Sequence, residues 1–134
     1  MRHRKAGKKI GRNSEHRLAT QRNMLAALFR HERIVTTVEK AKAFKPAAEK
    51  LLSLGREKTL HNVRRAQAKL QDKDMVKKLF DELGPRYKDR PGGYTRILKL
   101  PERRLGDGGS KCLFELVDNR VLEAQLAEQE EAGD

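Results

Sequence analysis

The sequence RIVTTVEKAKAFKPAAEKLL, residues 33–52, changes its hydrophobic period part-way along, and this change points to the fold class. Arg33–Thr37 is short and rich in β-branched residues, which favour a strand. From Val38 onward, apolar residues recur every three or four positions, as in a helix with one buried face. Pro46 lies inside this helix and is expected to kink it or to mark a restart. The stretch therefore predicts a strand followed directly by a helix.

Helices are predicted on both sides of this stretch. The first starts near Asn13 or Ser14, because both residue types accept hydrogen bonds from the free N–H groups of a helix start. A third, weaker helix follows the second, and a fourth begins at Asp72 or Asp74. Gly84, which is followed by a proline, is expected to end the fourth helix. The side chains of this helix that are expected to reach the core are Met75, Val76, Leu79, Phe80 and Leu83.

Two more strands are predicted in the C-terminal half. Gly92–Leu100 starts with two glycines and continues as a strand, and Lys111–Val117 is a second short run of strand-forming residues. A basic, turn-rich loop joins them, so the pair forms a hairpin with a long loop. The order is helix, strand, three helices and two strands, which predicts an α+β fold around a small mixed sheet.

The charge of the chain is large and unevenly distributed. Its 134 residues carry a formal net charge of +12, with a pI of about 10.1, and such a chain attracts polyanions. Residues 1–22 contain eight Lys or Arg and one acid, whereas residues 121–134 contain five acids and no Lys or Arg. We therefore divide the chain into a basic N-terminal arm (residues 1–13), a globular domain (14–118) and an acidic C-terminal tail (119–134). The tail is expected to be a frayed, solvated end.

Several classes of site are disfavoured by the residues themselves. Cys112 is the single cysteine, so an internal disulfide and a cysteine-based zinc site are excluded, and one reduced thiol fits the cytoplasm. His31 and Glu32 begin an HExxH motif, but position 35 is Val, so the second metal ligand is missing. GDGG at 106–109 lacks the lysine of a phosphate-binding loop. No apolar run approaches the roughly 20 residues of a membrane span, and we expect no metal, no cofactor and no catalysis.

The basic arm has the composition of a polyanion-binding segment. Lysine and arginine neutralise phosphates and release condensed counterions, and arginine also offers a planar fork to phosphate oxygens. No acid precedes Glu15, and Gly7 and Gly11 allow a close approach of the backbone to RNA. We expect residues 1–12 to be disordered in the free protein and to become ordered in RNA, because their charges repel one another and they have little to bury.

A second basic stretch lies in the predicted hairpin. Tyr94 and Arg96 fall on one side of a strand because side chains alternate, so a nucleobase could stack on Tyr94 while Arg96 binds a phosphate. The alternative is that Tyr94 is half-buried in the core and Arg96 is a solvated charge at its rim. The spacing leaves both interpretations open, and the nearby Arg103 and Arg104 favour RNA binding.

Three stretches, in order along the chain, resemble the bacterial ribosomal protein L17 family. They are MRHRKAGKKIGRNSEHR from residue 1, RIVTTVEKAKAFKPAAEKLL from residue 33 and KLFDELGPRYKDRPGGYTRILKL from residue 78. The resemblance extends to about Asp118 and implies a two-layer α+β fold that binds large-subunit ribosomal RNA, without catalysis, near the site where the nascent chain emerges. It also implies neighbouring ribosomal proteins as partners, ribosomal protein L32 among them. The acidic tail lies outside the resemblance.

Charge and resemblance together define the candidate RNA-binding residues. Most lie in the arm and in the first helix, and the others lie in the EKAK stretch and the hairpin. The set is Arg2, His3, Arg4, Lys5, Lys8, Lys9, Arg12, Asn13, Ser14, His16, Arg17, Arg22, Lys40, Lys42, Tyr94, Arg96, Lys99, Arg103 and Arg104. We expect a monomer on the cytoplasmic ribosome, with no membrane and no small-molecule substrate. The alternatives are an architectural DNA- or RNA-binding protein outside the ribosome and an RNA-modifying enzyme.

The apolar face of the fourth helix generates a stability prediction. Replacing Leu79 or Phe80 with Ala should lower the free energy of unfolding by about 2–5 kcal/mol, because a buried side chain is lost and a cavity remains. Chemical denaturation measures this loss. A loss below about half a kcal/mol, the range of ordinary surface substitutions, would mean that this helix face is not buried.

Overall fold

The computed structural model describes His3 and residues 7–133, and in this part of the chain helices pack against one face of a small sheet. The elements in chain order are α1 (Ser14–His31), β1 (Arg33–Thr37), α2 (Val38–Gly55), α3 (Leu60–Leu70), α4 (Lys73–Lys78), a π-helical turn (Leu79–Leu83), α5 (Gly84–Arg86), β2 (Thr95–Arg103), β3 (Ser110–Leu116) and α6 (Arg120–Gly133). The α+β class and the predicted order up to β3 are confirmed. Among the described residues, no helix is both long enough and apolar enough to span a membrane.

The sheet is antiparallel throughout, with strand order β1-β3-β2. The expectation of a mixed sheet is therefore wrong. The hairpin makes β2 and β3 antiparallel, and β1 joins the other edge of β3 in the same direction as β2. The two strands that are parallel to each other, β1 and β2, are thus separated by β3, and no parallel pair of neighbours forms.

The central strand β3 separates the two faces of the sheet. Phe114 and Leu116 are fully buried and belong to the hydrophobic core, which contains side chains of α1, α2, α3 and the fourth helical segment. Glu115 lies between them and projects from the opposite face, because successive side chains alternate. All five core residues predicted for the fourth helix are buried: Met75, Val76, Leu79, Phe80 and Leu83.

The fourth helical segment does not end at Gly84, as predicted, but continues as α5 to Arg86. It passes through the π-helical turn, in which the N–H of Gly84 donates to the carbonyl of Leu79. This wider turn changes the hydrogen-bond pattern immediately before Pro85, whose missing N–H would interrupt a regular α-helix. Gly84 is needed for packing instead, because a Cβ there would overlap the carbonyl oxygen of Gly55 at the end of α2.

Two other boundaries differ from the sequence prediction. Pro46 marks no restart, because α2 runs from Val38 to Gly55 as one helix with the proline inside it. Strand β2 begins at Thr95 and not at Gly92. Gly92 and Gly93 have φ angles of 137° and 66°, which are incompatible with a regular strand, so the two glycines form the turn before β2.

Glu32 is a buried acid at the junction of α1 and β1. Its backbone is left-handed (φ 60°), which ends α1, and its carbonyl accepts a hydrogen bond of 2.9 Å from the N–H of Leu116. Its side chain is 1% exposed and accepts hydrogen bonds from the guanidinium of Arg86 and, at 3.1 Å, from the backbone N–H of Val121. The ammonium of Lys78 lies 3.9 Å from the same carboxylate. Glu32 thus joins the start of the sheet, through its backbone, to α4, α5 and α6, through its side chain.

The acidic tail is helical over Arg120–Gly133, where a frayed end was expected. Asn119 caps this helix, since its side-chain oxygen accepts a 2.9 Å hydrogen bond from the N–H of Leu122. Val121 is held by Glu32, and no residue of α6 is buried. The expectation of a solvent-exposed tail thus agrees with the helix, which is hydrogen-bonded to Glu32 through its first turn.

Replacing Glu32 with Gln should destabilise the protein by about 3–5 kcal/mol, because the side chain of Arg86 is only 4% exposed and would keep its charge without a counter-charge. Chemical denaturation at neutral pH measures the loss. Asp81→Asn is the matched control, since the Lys58–Asp81 ion pair is largely exposed and should contribute at most about 1 kcal/mol. Equal losses in the two variants would show that the buried Glu32–Arg86 ion pair contributes no more to stability than an exposed one.

Candidate nucleic-acid interface

The described end of the basic arm lies beside the first turns of α1. Gly7 and Lys8 line a groove of about 320 Å³ together with Ser14 and Arg17 of α1 and part of α2. We call this the arm groove. Leu18 also lines it and is 58% exposed, although its spacing matches the apolar residues of α1. Three candidate residues, Lys8, Ser14 and Arg17, are therefore brought together at one surface.

Asn13 has a structural role that its place in the candidate set did not include. Its side-chain oxygen accepts a 2.8 Å hydrogen bond from the backbone N–H of His16, which caps α1 as the sequence predicted. The side chains of Ser14 and His16 are exposed around this cap. The start of α1 therefore presents polar groups and a positive helix end to solvent, which is favourable for a phosphate.

A second cationic surface forms between α2 and β2. Lys42 and Arg96, both in the candidate set, line a shallow basin of about 630 Å³ with Lys45. Sequence reasoning missed Lys45, although its spacing of three from Lys42 places the two on one face of a helix. Glu49 also borders the basin, but its carboxylate accepts hydrogen bonds from the backbone N–H groups of Tyr94 and Thr95, at 3.1 and 3.0 Å.

Tyr94 is not available for base stacking, and this part of the candidate set is wrong. Its side chain is 1% exposed, and its ring packs on Tyr87 with a centroid distance of 5.2 Å. Its hydroxyl accepts a hydrogen bond of 3.2 Å from Arg56 and donates one of 3.3 Å to the carbonyl of Arg90. The alternative of a core tyrosine is thus the observed one, because the contact with Tyr87 and the hydrogen bonds of the hydroxyl hold this ring in the core.

Arg96 lies on the open face of the sheet in a row of three charged side chains. The carboxylate of Glu115 is fully buried and accepts hydrogen bonds from Arg33 on one side, at 2.7 Å, and from Arg96 on the other. Burial alone would raise the pKa of Glu115, but the hydrogen bonds and charges of both arginines outweigh it and hold this pKa below its usual range. Arg96 is still 54% exposed, so it can reach a ligand, although part of its charge is compensated.

The hairpin contains three further basic candidates. Lys99 and Arg103 are exposed on β2. Arg104 forms an ion pair with Asp107 across the loop, and its hydrogen bond holds the pKa of the Asp107 carboxyl well below the usual range. Arg104 therefore closes the turn and is a weaker phosphate ligand than its sequence position suggested.

The other candidates differ in how far they face solvent. Arg12 and Arg22 are half-buried, and each has a buried Nε without a partner among the described residues. Arg12 also donates a hydrogen bond of 3.0 Å to the carbonyl of Ile10. His3 and Lys9 are exposed and Lys40 is half-buried, whereas Arg2, Arg4 and Lys5 lie outside the described residues. Within the described part of the chain, no three His, Cys, Asp or Glu side chains are grouped as metal ligands.

Comparison with known proteins identifies the family. A family model described as ribosomal protein L17 matches residues 20–117, well over half of the chain. This chain belongs to the ribosomal protein L17 family. It is 51% identical over 118 residues to the large ribosomal subunit protein bL17 of Trichlorobacter lovleyi, covering 88% of this chain and 94% of that protein. It is 52% identical over 118 residues to bL17 of two Thermus thermophilus strains, covering 88% of this chain and all of each relative.

The L17 match has a clear C-terminal limit. The family model ends at residue 117, one residue after β3, so α6 lies beyond it. The helical core and all three strands lie within the matched part, apart from the first turns of α1. The acidic helix is therefore an extension of this chain beyond the family's matched region.

Replacing Glu115 with Gln should lower the stability of this L17-family chain by about 1–3 kcal/mol at neutral pH, since two charged hydrogen bonds weaken. The folded-state pKa of Glu115 is lowered, so its stabilising effect is present above the unfolded pKa of about 4.3 and is lost as the pH falls through the folded pKa. The difference between wild type and variant should therefore shrink in acid. Denaturation at several pH values measures it.

Glu102→Gln is the matched control, because Glu102 is exposed on β2 and has no ion pair among the described residues. This control should be nearly neutral at every pH. A Glu115→Gln loss that does not change with pH would contradict the pKa argument.

Proposed function

We propose that this chain is a structural constituent of the bacterial large ribosomal subunit and binds large-subunit ribosomal RNA. Beside family membership, the main support for the proposal is that several basic side chains have no acidic partner among the described residues. Lys8, Arg17 and Lys42 have no acidic partner within the described residues, although the chain contains 19 acids. Unpaired surface cations attract a polyanion, and phosphate neutralisation with counterion release stabilises the complex.

The buried acids support the same proposal. Glu32 neutralises the charge of Arg86, and Glu115 neutralises Arg33 and part of the charge of Arg96. These ion pairs stabilise the fold. The arm and the exposed sides of α1 and α2 remain cationic. This separation of internal ion pairs from free surface charge favours an RNA-binding scaffold. No observation favours the alternative of an architectural protein outside the ribosome.

The finer points of the proposal follow from the family resemblance. We propose that the chain has no catalytic role and works on the cytoplasmic ribosome as a single copy. We also propose a position near the site where the nascent chain emerges, with ribosomal protein L32 among its neighbours. Family membership supports these points, and crosslinking of intact large subunits tests them, because a partner set without L32 would remove that neighbour from the proposal.

The division into arm, globular domain and tail is also part of the proposal. The capped start of α1 at Asn13 supports a boundary there, and the end of the family match at residue 117 supports the second. In this view the arm is the chief RNA ligand and becomes ordered when its cations meet phosphates. Its residues 1, 2 and 4–6 lie outside the described residues.

Deletion of residues 1–12 should leave the thermal stability nearly unchanged, since none of the described residues among them belongs to the hydrophobic core. RNA affinity should fall sharply. For wild type, six to ten neutralised phosphates give a slope of log K against log salt of roughly −5 to −9, and the truncated chain should lose several units of that slope.

Two measurements decide this prediction, a melting curve and a titration with large-subunit RNA at several salt concentrations. A full-length variant with the arm's Lys and Arg changed to Gln separates charge from chain length, and it should behave like the truncation. A wild-type slope near −1 would overturn the polyelectrolyte argument. Truncation that unfolds the domain but leaves the affinity per folded molecule unchanged would make the arm structural.

A further inference from the structure

A groove between α2 and α3 combines cations with an apolar floor. Its volume is about 500 Å³, and its rim carries Lys50 of α2 together with Arg65 and Lys69 of α3. Its floor includes Pro46 and Leu54. None of the three rim cations was in the candidate set, because no sequence motif connects Lys50 of α2 with Arg65 and Lys69 of α3.

The rim cations are free to bind a ligand. All three are exposed, and none has an acidic partner within the described residues. No acid among the described residues lines the groove, whereas the basin beside Arg96 contains Glu49. Arg65 and Lys69 are four residues apart and so share one face of α3. The groove therefore has a positive potential that the fold itself does not compensate.

The α2–α3 groove continues into the arm groove. Gln21 and Ala43 line both cavities, so the two meet at the contact between α1 and α2. A strand of RNA held by Lys8 and Arg17 in the arm groove would thus pass directly to the rim of the α2–α3 groove. This continuity extends the proposed RNA-binding surface from the arm groove across α1, α2 and α3.

We propose that the α2–α3 groove binds an unpaired nucleotide of ribosomal RNA, with the base on the apolar floor and the flanking phosphates on Lys50, Arg65 and Lys69. A paired base exposes only its edges, whereas a base turned out of the helix has two apolar faces to bury. Pro46 and Leu54 supply the surface that such a face contacts, and the guanidinium of Arg65 supplies a plane on which it can stack. An acidic peptide would use the rim cations, but its carboxylates gain nothing from the floor.

The proposal rests on the proposed function, and matched variants test it separately. Arg65→Gln with Lys69→Gln removes two rim cations. Arg64→Gln with Lys73→Gln removes two exposed cations of α3 and α4 that do not line the groove. Both variants change surface charge by the same amount, and melting curves verify that both fold as wild type does.

Each full-length variant is titrated with large-subunit RNA at several salt concentrations. The groove variant should bind at least tenfold more weakly, and its salt slope should be about two units shallower, one for each lost phosphate contact. The control should stay within about twofold of wild type, with its slope unchanged. Equal RNA affinities and salt slopes of the two variants would overturn the nucleotide site in the groove. Failure of the wild-type chain to bind RNA would overturn the proposed function itself.

A second measurement reports the base directly. RNA carrying 4-thiouridine is irradiated in complex with the wild-type chain, and the crosslinked peptides are sequenced. Crosslinks to the segments around Pro46–Leu54 and Arg65–Lys69 are expected, and they should disappear in the groove variant. Crosslinks confined to the arm would overturn the nucleotide site. Tight binding of poly-glutamate that is lost in the groove variant, together with unchanged RNA binding, would assign the groove to an acidic protein instead.

Discussion

The fold depends on a buried carboxylate in a chain of high positive charge. Glu32 ends α1 with a left-handed turn, starts the sheet through its carbonyl, and binds Arg86 and the first turn of α6 through its side chain. A guanidinium as buried as that of Arg86 is tolerated only when a counter-charge and hydrogen bonds compensate its desolvation. Elements that are distant in sequence therefore meet in one arrangement, which sets how the helical layer lies on the sheet.

Two other carboxylates extend this constraint across the sheet. Glu115 on the central strand binds arginines of both outer strands, and Glu49 of α2 accepts hydrogen bonds from the backbone at the start of β2. The fold thus uses a few acids at points where strands and helices join. Among the described residues, most of the lysines and arginines remain outside these contacts, and the surface formed by α1, α2 and α3 stays positive. The ion pairs that join the elements of the fold therefore involve only a small part of the positive charge of the chain.

Helix order and the core face of the fourth helix followed from the sequence, because hydrophobic period and capping are local properties. Two of the errors lie where a packing contact overrides a local rule. Gly84 was expected to stop a helix, but it permits close packing against Gly55. Tyr94 had the spacing of a stacking residue, but the ring of Tyr87 and the hydroxyl's hydrogen bonds hold it in the core. Gly55 is distant from Gly84 in sequence, and Tyr87, although only seven residues from Tyr94, meets it through the packing of a turn that periodicity does not describe.

The sequence by itself determined the class of this protein, its basic arm and its polyanion partner, because charge and periodicity are summed over residues and need no coordinates. Three long motifs carried the family resemblance, which the comparisons confirm. Only the tertiary structure decided which cations are free. Arg104 and Arg96 looked equivalent to Lys8 or Lys42 in sequence, yet ion pairs engage the first two. It also brought Lys50 beside Arg65 and Lys69, since a groove between helices exists only after the helices pack.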